Sequence, residues 1–238
     1  MTQIVNNNAW GAEAPATLEG SWDGPYVEYG VTWHKGFRGY SVSQLQMLPK
    51  VTTETGWTTV GKNSISEDQQ GKLFMNLYLD AFKRGWSYTF IYMLRDDPSQ
   101  GYWGLFHTDY TPKLSGTYLH NLTTILADNS SSFTPGQINY SISNEPATVH
   151  DLLLQKSNGT MELIVWGEQV NGHNNVTVNL GGAYKFVKVY DPTIAASKAK
   201  MYSDVSSIPL TLSDHALIIE FGAATTLAAN PALMSAAE

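Results

Sequence analysis

The hydrophobic rhythm of the chain changes near residue 130, and this change constrains the fold more than any other feature. Before it, β-branched or apolar runs alternate with amphipathic stretches at a spacing of roughly 35 residues, which is typical of parallel βα units. After it, short alternating runs are separated by turn residues, which is typical of antiparallel β structure. The sequence therefore predicts an α/β part over residues 1–128 and a β-sandwich over residues 133–222.

Local signals place the elements of the α/β part. Ser66 begins a capping box that ends at Gln69, and apolar residues at helical spacing follow as far as Gly85, so a helix is expected there. Thr111 and Pro112 have the residue types of an N-cap and a first helical position, and they predict a second helix. The apolar run 88–94 predicts a strand that is covered on both faces.

Seven short strands are expected in the second part. They span residues 138–142, 150–156, 161–167, 176–180, 186–190, 208–212 and 216–221. Residues 157–160 read SNGT, and the Asn-Gly pair favours a tight hairpin turn. We expect these strands to form an antiparallel sandwich. The Ala-rich residues 223–238 show no periodicity and are expected to be a disordered tail.

Composition and motifs exclude several classes of function. The 238-residue chain has a net charge of −7 and no Lys/Arg cluster, so nucleic acid is not an expected partner. It has no cysteine, which excludes disulfides, thiolate metal sites and cysteine nucleophiles. Its six histidines are scattered, so neither a metal site nor another cofactor is predicted. No run approaches the roughly 20 apolar residues that span a bilayer, and no signal-peptide pattern is visible.

Residues 48–57, which read LPKVTTETGW, are the most informative short stretch. The β-branched residues 51–53 favour an extended backbone, and Gly56 permits a sharp turn after it. Glu54 is therefore expected at or near the carboxyl end of a strand, where α/β barrels collect their catalytic groups. The indole of Trp57 offers a flat surface on which a sugar ring can stack. The alternative is a salt-bridged glutamate beside a tryptophan of the core.

Three runs of the chain, taken in order, resemble a known enzyme family. They are residues 51–57 (VTTETGW), 88–97 (YTFIYMLRDD) and 103–113 (WGLFHTDYTPK). Together they are similar to the C-terminal part of clan-A glycoside hydrolases, which pair a (β/α)8 barrel with a small β-sandwich. The resemblance implies the last two βα units of such a barrel followed by an antiparallel β-sandwich. It also implies a retaining glycosidase that acts on a β-linked polysaccharide or oligosaccharide, in a secreted or extracellular location.

The resemblance implies roles for particular residues. Glu54 matches the nucleophile at the end of the seventh barrel strand. Substrate-binding roles are expected for Trp33, His34, Trp57, Tyr92, Asp96, Trp103 and His107. A packing role is the alternative for the tryptophans at 57 and 103, and an ordinary loop histidine is the alternative for the histidines. A surface ion pair with Arg95 is the alternative for Asp96.

The acid/base carboxylate of a retaining mechanism has no match. The chain's Asn-Glu dipeptide, Asn144-Glu145, lies in the predicted sandwich, and there are too few residues before Glu54 for the first barrel strands. We therefore expect the C-terminal part of a longer enzyme, weakly active or inactive alone, whose residues 1–44 form a long loop lining the cleft. The alternative is a non-catalytic carbohydrate-binding or structural β-sandwich module attached to a barrel remnant.

Overall fold

The structure is a computed structural model that describes residues 51–62, 64–83, 85–129 and 134–222, with the backbone alone described for residues 51–54. The expectations for the long loop at residues 1–44, which includes Trp33 and His34, lie outside the described residues. The expected tail at residues 223–238 also lies outside them.

Eight strands and two helices make up the described part of the chain. The strands are β1 (Val51–Thr55), β2 (Tyr88–Ile91), β3 (Ser141–Ser143), β4 (Val149–Gln155), β5 (Met161–Gly167), β6 (Asn174–Tyr190), β7 (Ala199–Leu212) and β8 (Ala216–Phe221). The helices are α1 (Glu67–Lys83) and α2 (Leu114–Leu126). Neither described helix combines the length and the apolarity needed to cross a membrane.

The signals that predicted α1 are confirmed at both of its ends. The Ser66 hydroxyl accepts a hydrogen bond from the Gln69 N–H at 3.1 Å, which caps the first turn. Gly85 adopts a φ of +70° and donates its N–H to the Phe82 carbonyl at 3.0 Å, which ends the helix. The second helix begins slightly later than predicted, because Lys113 rather than Thr111 occupies the N-cap position of α2.

β1 and β2 form a two-stranded parallel sheet, as the spacing of the βα units predicted. β2 ends at Ile91 rather than at residue 94. Its residues Tyr88 and Phe90 are 64% and 54% exposed, whereas Ile91 packs against the core that α1 covers. The prediction of a strand covered on both faces is therefore wrong, because the described structure packs a helix against one face only.

The other six strands form one antiparallel sheet centred on the long strand β6. β7 pairs with one edge of β6 from Asn174 to Tyr190. The other edge of β6 pairs first with β3 and then with β8, which is followed by β5 and β4. Gly181, at a φ of +76°, lies where the register of the β6–β7 pair shifts, and the sheet curls into a half-barrel.

The predicted fold class, the C-terminal part of a (β/α)8 barrel followed by a β-sandwich, is wrong. Within the described residues the structure is mostly β, with 40% strand and two helices, and these residues show no (β/α)8 pattern. One curled sheet stands where two stacked sheets were expected. Part of the error is local, because the two glycines at 181–182 suggest a turn, whereas β6 continues through them as a bulge. Residues 199–207 were missed because their mostly polar side chains give no apolar alternation.

Strand β5 contributes side chains to two hydrophobic cores, one on each face of the six-stranded sheet. Leu163 and Val165 belong to the core on one face of the sheet, and Ile164 and Trp166 belong to the core between the opposite face and the two helices. Every residue of β5 is buried as a result. A third cluster, around Trp57 and Phe74, joins α1 to the end of β1.

Candidate functional site

The carboxyl ends of β1 and β2 lie side by side and are joined by close backbone contacts. The Tyr92 N–H donates to the Thr55 carbonyl at 2.7 Å. A Cβ on Gly56 would lie 2.6 Å from the Tyr92 carbonyl oxygen, so the two chains can cross here only at a glycine. Glu54 immediately precedes Thr55, the last residue of β1, which confirms its predicted place near the end of a strand.

A buried ion pair holds the loop that follows β2, residues 92–113. Lys113, 1% exposed, places its Nζ 3.2 Å from each carboxylate oxygen of Asp96, which is also 1% exposed. The same ammonium donates to Thr59 Oγ1 at 2.8 Å and to the Tyr102 carbonyl at 3.3 Å. Its hydrogens therefore have acceptors, as a buried charge requires. We call Asp96, Lys113, Thr59 and Tyr102 the loop clamp.

The clamp depends on a glycine at position 104. The Gly104 N–H donates to Asp96 Oδ1 at 2.7 Å, and a Cβ at this position would lie 2.4 Å from the Asp96 nitrogen. The two arms of the loop also pair along their backbones. The Asp96 N–H donates to the Phe106 carbonyl at 2.8 Å, and the Leu105 N–H donates to the Leu94 carbonyl at 3.0 Å. Hydrogen bonds between its own two arms therefore hold the base of the loop together.

Gln70 connects this base to both helices. Its side chain is fully buried, and its Nε2 donates to the Trp57 carbonyl at 2.6 Å. Its Oε1 accepts a hydrogen bond from the Ser115 hydroxyl at 2.9 Å. One amide therefore ties the segment after β1 and the first turn of α2 to α1.

Two of the predicted substrate-binding residues, Tyr92 and Trp103, lie on paired arms of the loop. Both are half-buried, and the Trp103 carbonyl accepts a hydrogen bond from the Met93 N–H at 3.3 Å. The Tyr92 hydroxyl donates to the side-chain carbonyl of Gln100. The structure thus brings these two residues to the same loop at the carboxyl ends of β1 and β2.

Polar groups accompany them on the outer part of the loop. His107, predicted to bind substrate, places its Nε2 3.4 Å from Glu67 Oε1 on α1. The Arg95 guanidinium lies 4.6 Å from the centroid of the Tyr110 ring, which is 72% exposed. Arg95 therefore pairs with a ring and not with Asp96, so the alternative of a surface ion pair between these two residues is wrong.

Two predicted substrate-binding residues serve the fold instead. Trp57 is fully buried and packs against Phe74, with ring centroids 5.6 Å apart, so its indole presents no face to a sugar in the described structure. The carboxylate of Asp96 is enclosed by Lys113 and Gly104 and is equally unavailable. The alternative of a packing role is the one the structure supports for Trp57. Asp96 has a buried structural role that neither reading of the sequence anticipated.

Sequence reasoning missed Lys113 and Gln70, although one signal was present for the lysine. A cation at the start of a helix opposes the helix dipole, so Lys113 at the N-cap of α2 needs a compensating partner. No comparable signal marks Gln70, because a glutamine in the first turn of a helix is ordinary.

A second polar cluster lies where the helices meet the six-stranded sheet. His215 Nδ1 lies 3.3 Å from Asp214 Oδ1, and His215 Nε2 lies 3.3 Å from Asp191 Oδ2. Lys72 of α1 contacts the same Asp214 at 3.3 Å. Burial lowers the pKa of His215, but the two carboxylates outweigh it and raise the pKa to about 9.

This cluster does not form a metal site. In the part of the chain that the structure describes, no group of three or more histidine, cysteine, aspartate or glutamate side chains is placed to hold a metal ion. The hydrogen bonds between His215 and two carboxylates instead describe an imidazolium held between acceptors.

Comparison with known proteins does not place the chain in a family. No protein-family model matches the chain, and no curated protein matches it.

Proposed function

We propose that the chain carries the nucleophile-bearing part of a retaining glycoside hydrolase that acts on a β-linked polysaccharide or oligosaccharide, with Glu54 as the nucleophile. The observation that carries this proposal is the place of Glu54, one residue before the end of β1 and beside the exit of β2. Strand pairing and the close contact of Gly56 with Tyr92 hold this backbone in position, as a nucleophile requires.

In the proposed reaction, the Glu54 carboxylate attacks the anomeric carbon while the bond from that carbon to the leaving oxygen breaks. A glycosyl ester results, and water then attacks the same carbon to release the sugar and regenerate Glu54. Tyr92, Trp103 and His107, carried on the clamped loop, contact the sugar by stacking or hydrogen bonding. Trp57 and Asp96 take no part, because the core and the clamp occupy them.

Asp97 and Asp109, two carboxyl groups of the loop, are poorly suited to act as the general acid of this reaction. A hydrogen bond from the Ser99 hydroxyl holds the pKa of Asp97 below its usual value, and Thr111 does the same for Asp109. Such carboxyls remain ionised near neutral pH and make poor general acids. A substrate whose leaving group needs no protonation is therefore the appropriate probe of Glu54.

A non-catalytic carbohydrate-binding or structural module is the second candidate. The burial of Trp57 and Asp96 favours the structural form of this candidate, because two of the predicted substrate-binding residues serve the fold. The two candidates differ in what they require at position 54. An enzyme needs a carboxylate that becomes covalently bonded, whereas a binding module needs only a hydrogen-bonding side chain.

The experiment is covalent trapping of the nucleophile. The full chain is incubated with 2,4-dinitrophenyl 2-deoxy-2-fluoro-β-glycosides of the gluco, xylo and manno series, and the mass of the intact protein is recorded. The aryl oxide leaves without a proton, whereas the fluorine slows hydrolysis of the glycosyl ester because it destabilises the oxocarbenium-like transition state. We expect one glycosyl adduct, located on Glu54 by peptide mapping.

Glu54→Gln is expected to abolish the adduct because an amide is not a nucleophile. Glu145→Gln makes the same chemical change in the turn between β3 and β4, and it should be labelled like the parent. Labelling of Glu54→Gln at the parental rate, or an adduct on another residue, contradicts the proposed nucleophile. A folded chain that binds these sugars and forms no adduct supports the binding module instead.

A further inference from the structure

A cavity of about 440 Å³ opens at the rim of the six-stranded sheet, in a part of the chain that shares no residue with the clamped loop. Its walls come from the segment that precedes β3, from the hairpin between β4 and β5, and from the bulge of β6. Its volume lies within the range of about 300–1,000 Å³ that is usual for small-molecule pockets. The cavity is therefore large enough to hold a ligand rather than a few water molecules.

The wall formed by the segment before β3 is fixed to the sheet. The Gln155 side chain, at the end of β4, accepts a hydrogen bond from the Gly136 N–H at 2.6 Å and donates one to the Thr134 carbonyl at 2.9 Å. A Cβ on Gly181 would lie 2.2 Å from the Asn139 carbonyl oxygen, so the segment passes against the bulge of β6 at van der Waals distance. The cavity is thus built by specific contacts, which is the preorganisation that a binding site needs.

An aromatic side chain of β6, that of Tyr184, also lines the cavity. The Tyr184 ring packs edge-on against Phe221, with centroids 4.8 Å apart and an interplanar angle of 61°. Phe221 is 1% exposed and belongs to the core, so it holds the ring in place. A tyrosine hydroxyl is protonated at physiological pH and can donate a hydrogen bond, and burial raises the pKa of Tyr184 further.

The lining of the cavity carries hydrogen-bonding groups but no charge. Among the described residues that line it, none is Asp, Glu, Lys, Arg or His, and the exposed side chains of Gln137 and Asn139 add two amides to its polar surface. An amide both donates and accepts hydrogen bonds, as a sugar hydroxyl does. An anion would find no cation here, and a wholly apolar ligand would leave the amides unpaired.

We propose that this cavity binds a neutral sugar unit of an oligosaccharide, with the amides of Gln137 and Asn139 bonding its hydroxyls and the Tyr184 ring packing on its apolar face. The site goes beyond the proposed hydrolytic function and does not depend on it, because Glu54 and the clamped loop contribute nothing to the lining. It would hold a carbohydrate chain on the sheet whether or not that chain is cleaved elsewhere.

The test is a titration of the ¹⁵N-labelled full chain with cellotetraose, xylotetraose and mannotetraose, followed through backbone amide signals. At least one of these neutral sugars is expected to shift the signals of Gly159 and Gly181, with a dissociation constant on the order of 1 mM or below. The double variant Gln137→Ala/Asn139→Ala should weaken binding about tenfold or more, because it removes both amides that bond the sugar hydroxyls.

Two further variants test whether the effect is specific to the cavity. Asn171→Ala removes an exposed amide from the turn between β5 and β6, at the other end of β5, and should bind like the parent. Tyr184→Leu removes the ring and should also weaken binding, provided that its spectrum shows a native fold. The proposal is overturned if none of the three sugars shifts these signals at about 10 mM. Equal binding by the amide double variant, or stronger binding of a sulfated or uronic-acid oligosaccharide, overturns it as well.

Discussion

Among single residues, Lys113 and Asp96 of the loop clamp form a buried ion pair in which a substitution is expected to be costly. The side chain of Lys113 has no exposed surface and that of Asp96 is 2% exposed. Removing one partner of a buried ion pair leaves the other charge without compensation, which costs about 3–5 kcal/mol. Replacing both partners with apolar groups avoids that cost, so the two kinds of substitution should differ sharply.

Lys113→Met is therefore expected to lower the free energy of unfolding by about 3–5 kcal/mol in urea denaturation. The double variant Lys113→Met/Asp96→Leu should recover part of this loss, because no buried charge then remains unpaired. Lys62→Met, at an exposed position, is the matched control and should change stability by less than about 0.5 kcal/mol. A loss at Lys113 no larger than that of the control contradicts the burial argument.

At the scale of secondary-structure elements, the contact between α1 and α2 requires a residue without a side chain. Gly71 lies within α1 and is buried against α2. A Cβ at this position would lie 2.5 Å from Cδ2 of Tyr118 and 3.0 Å from the Cα of Ser115. Helix propensity alone favours alanine over glycine by about 1 kcal/mol, so propensity and packing make opposite predictions here.

We expect packing to prevail, so Gly71→Ala should destabilise the protein by about 1–3 kcal/mol despite its higher propensity. Equilibrium unfolding monitored by circular dichroism measures the change. Thr123→Ala, on the exposed side of α2, serves as the control and should be close to neutral. A Gly71→Ala variant more stable than the parent contradicts the close approach of the helices.

The elements that sequence analysis predicted well are those with strong local signals. The capping residues Ser66 and Gly85 bound α1, and the predicted bounds of β5 and β8 agree with the structure because apolar runs and turns delimit both strands. The long hairpin of β6 and β7 was not predicted, because a bulge at Gly181 has the residue types of a turn. In the candidate site, the place of Glu54 could be predicted, whereas the burial of Asp96 depends on Lys113, 17 residues away.

At the scale of the whole molecule, the helices and the six-stranded sheet are joined by apolar and polar contacts together. Met75 and Leu122 belong to the same buried cluster as Trp166 of β5. Asn76 donates to the Asp214 carbonyl at 3.0 Å, and Asn121 donates to the Pro192 carbonyl at 2.8 Å. The ion pairs of His215 lie at this contact between the helices and the sheet. The charge of the imidazole is therefore expected to affect the free energy of unfolding.

Stability is expected to fall as pH rises from about 6.5 through 9. The folded-state pKa of His215, raised to about 9, exceeds its unfolded value, so the imidazolium stabilises the fold fully below about 6.5 and progressively less above it. The loss amounts to about 3 kcal/mol. Asp191 and Asp214 have lowered pKa values and Lys72 has a raised one, so these groups titrate outside this window.

Urea denaturation at pH 6, 7.5 and 9 measures this slope. His215→Asn should flatten the dependence, because it removes the group that loses a proton. His173→Asn changes an exposed histidine and should keep the parental slope. A parent whose stability is unchanged or rises between pH 6.5 and 9 contradicts the paired imidazolium.

The base and the outer turns of the loop at residues 92–113 differ in how well they should tolerate substitution. Its base is held by Asp96, Gly104 and Lys113, where nearly any substitution disturbs packed backbone or leaves a buried charge. Its two outer turns, around residues 97–101 and 107–111, are largely exposed and contribute little to the core. Mutations in those turns cost little folding free energy, so natural selection can reshape the surface that the loop presents while the loop's position stays the same.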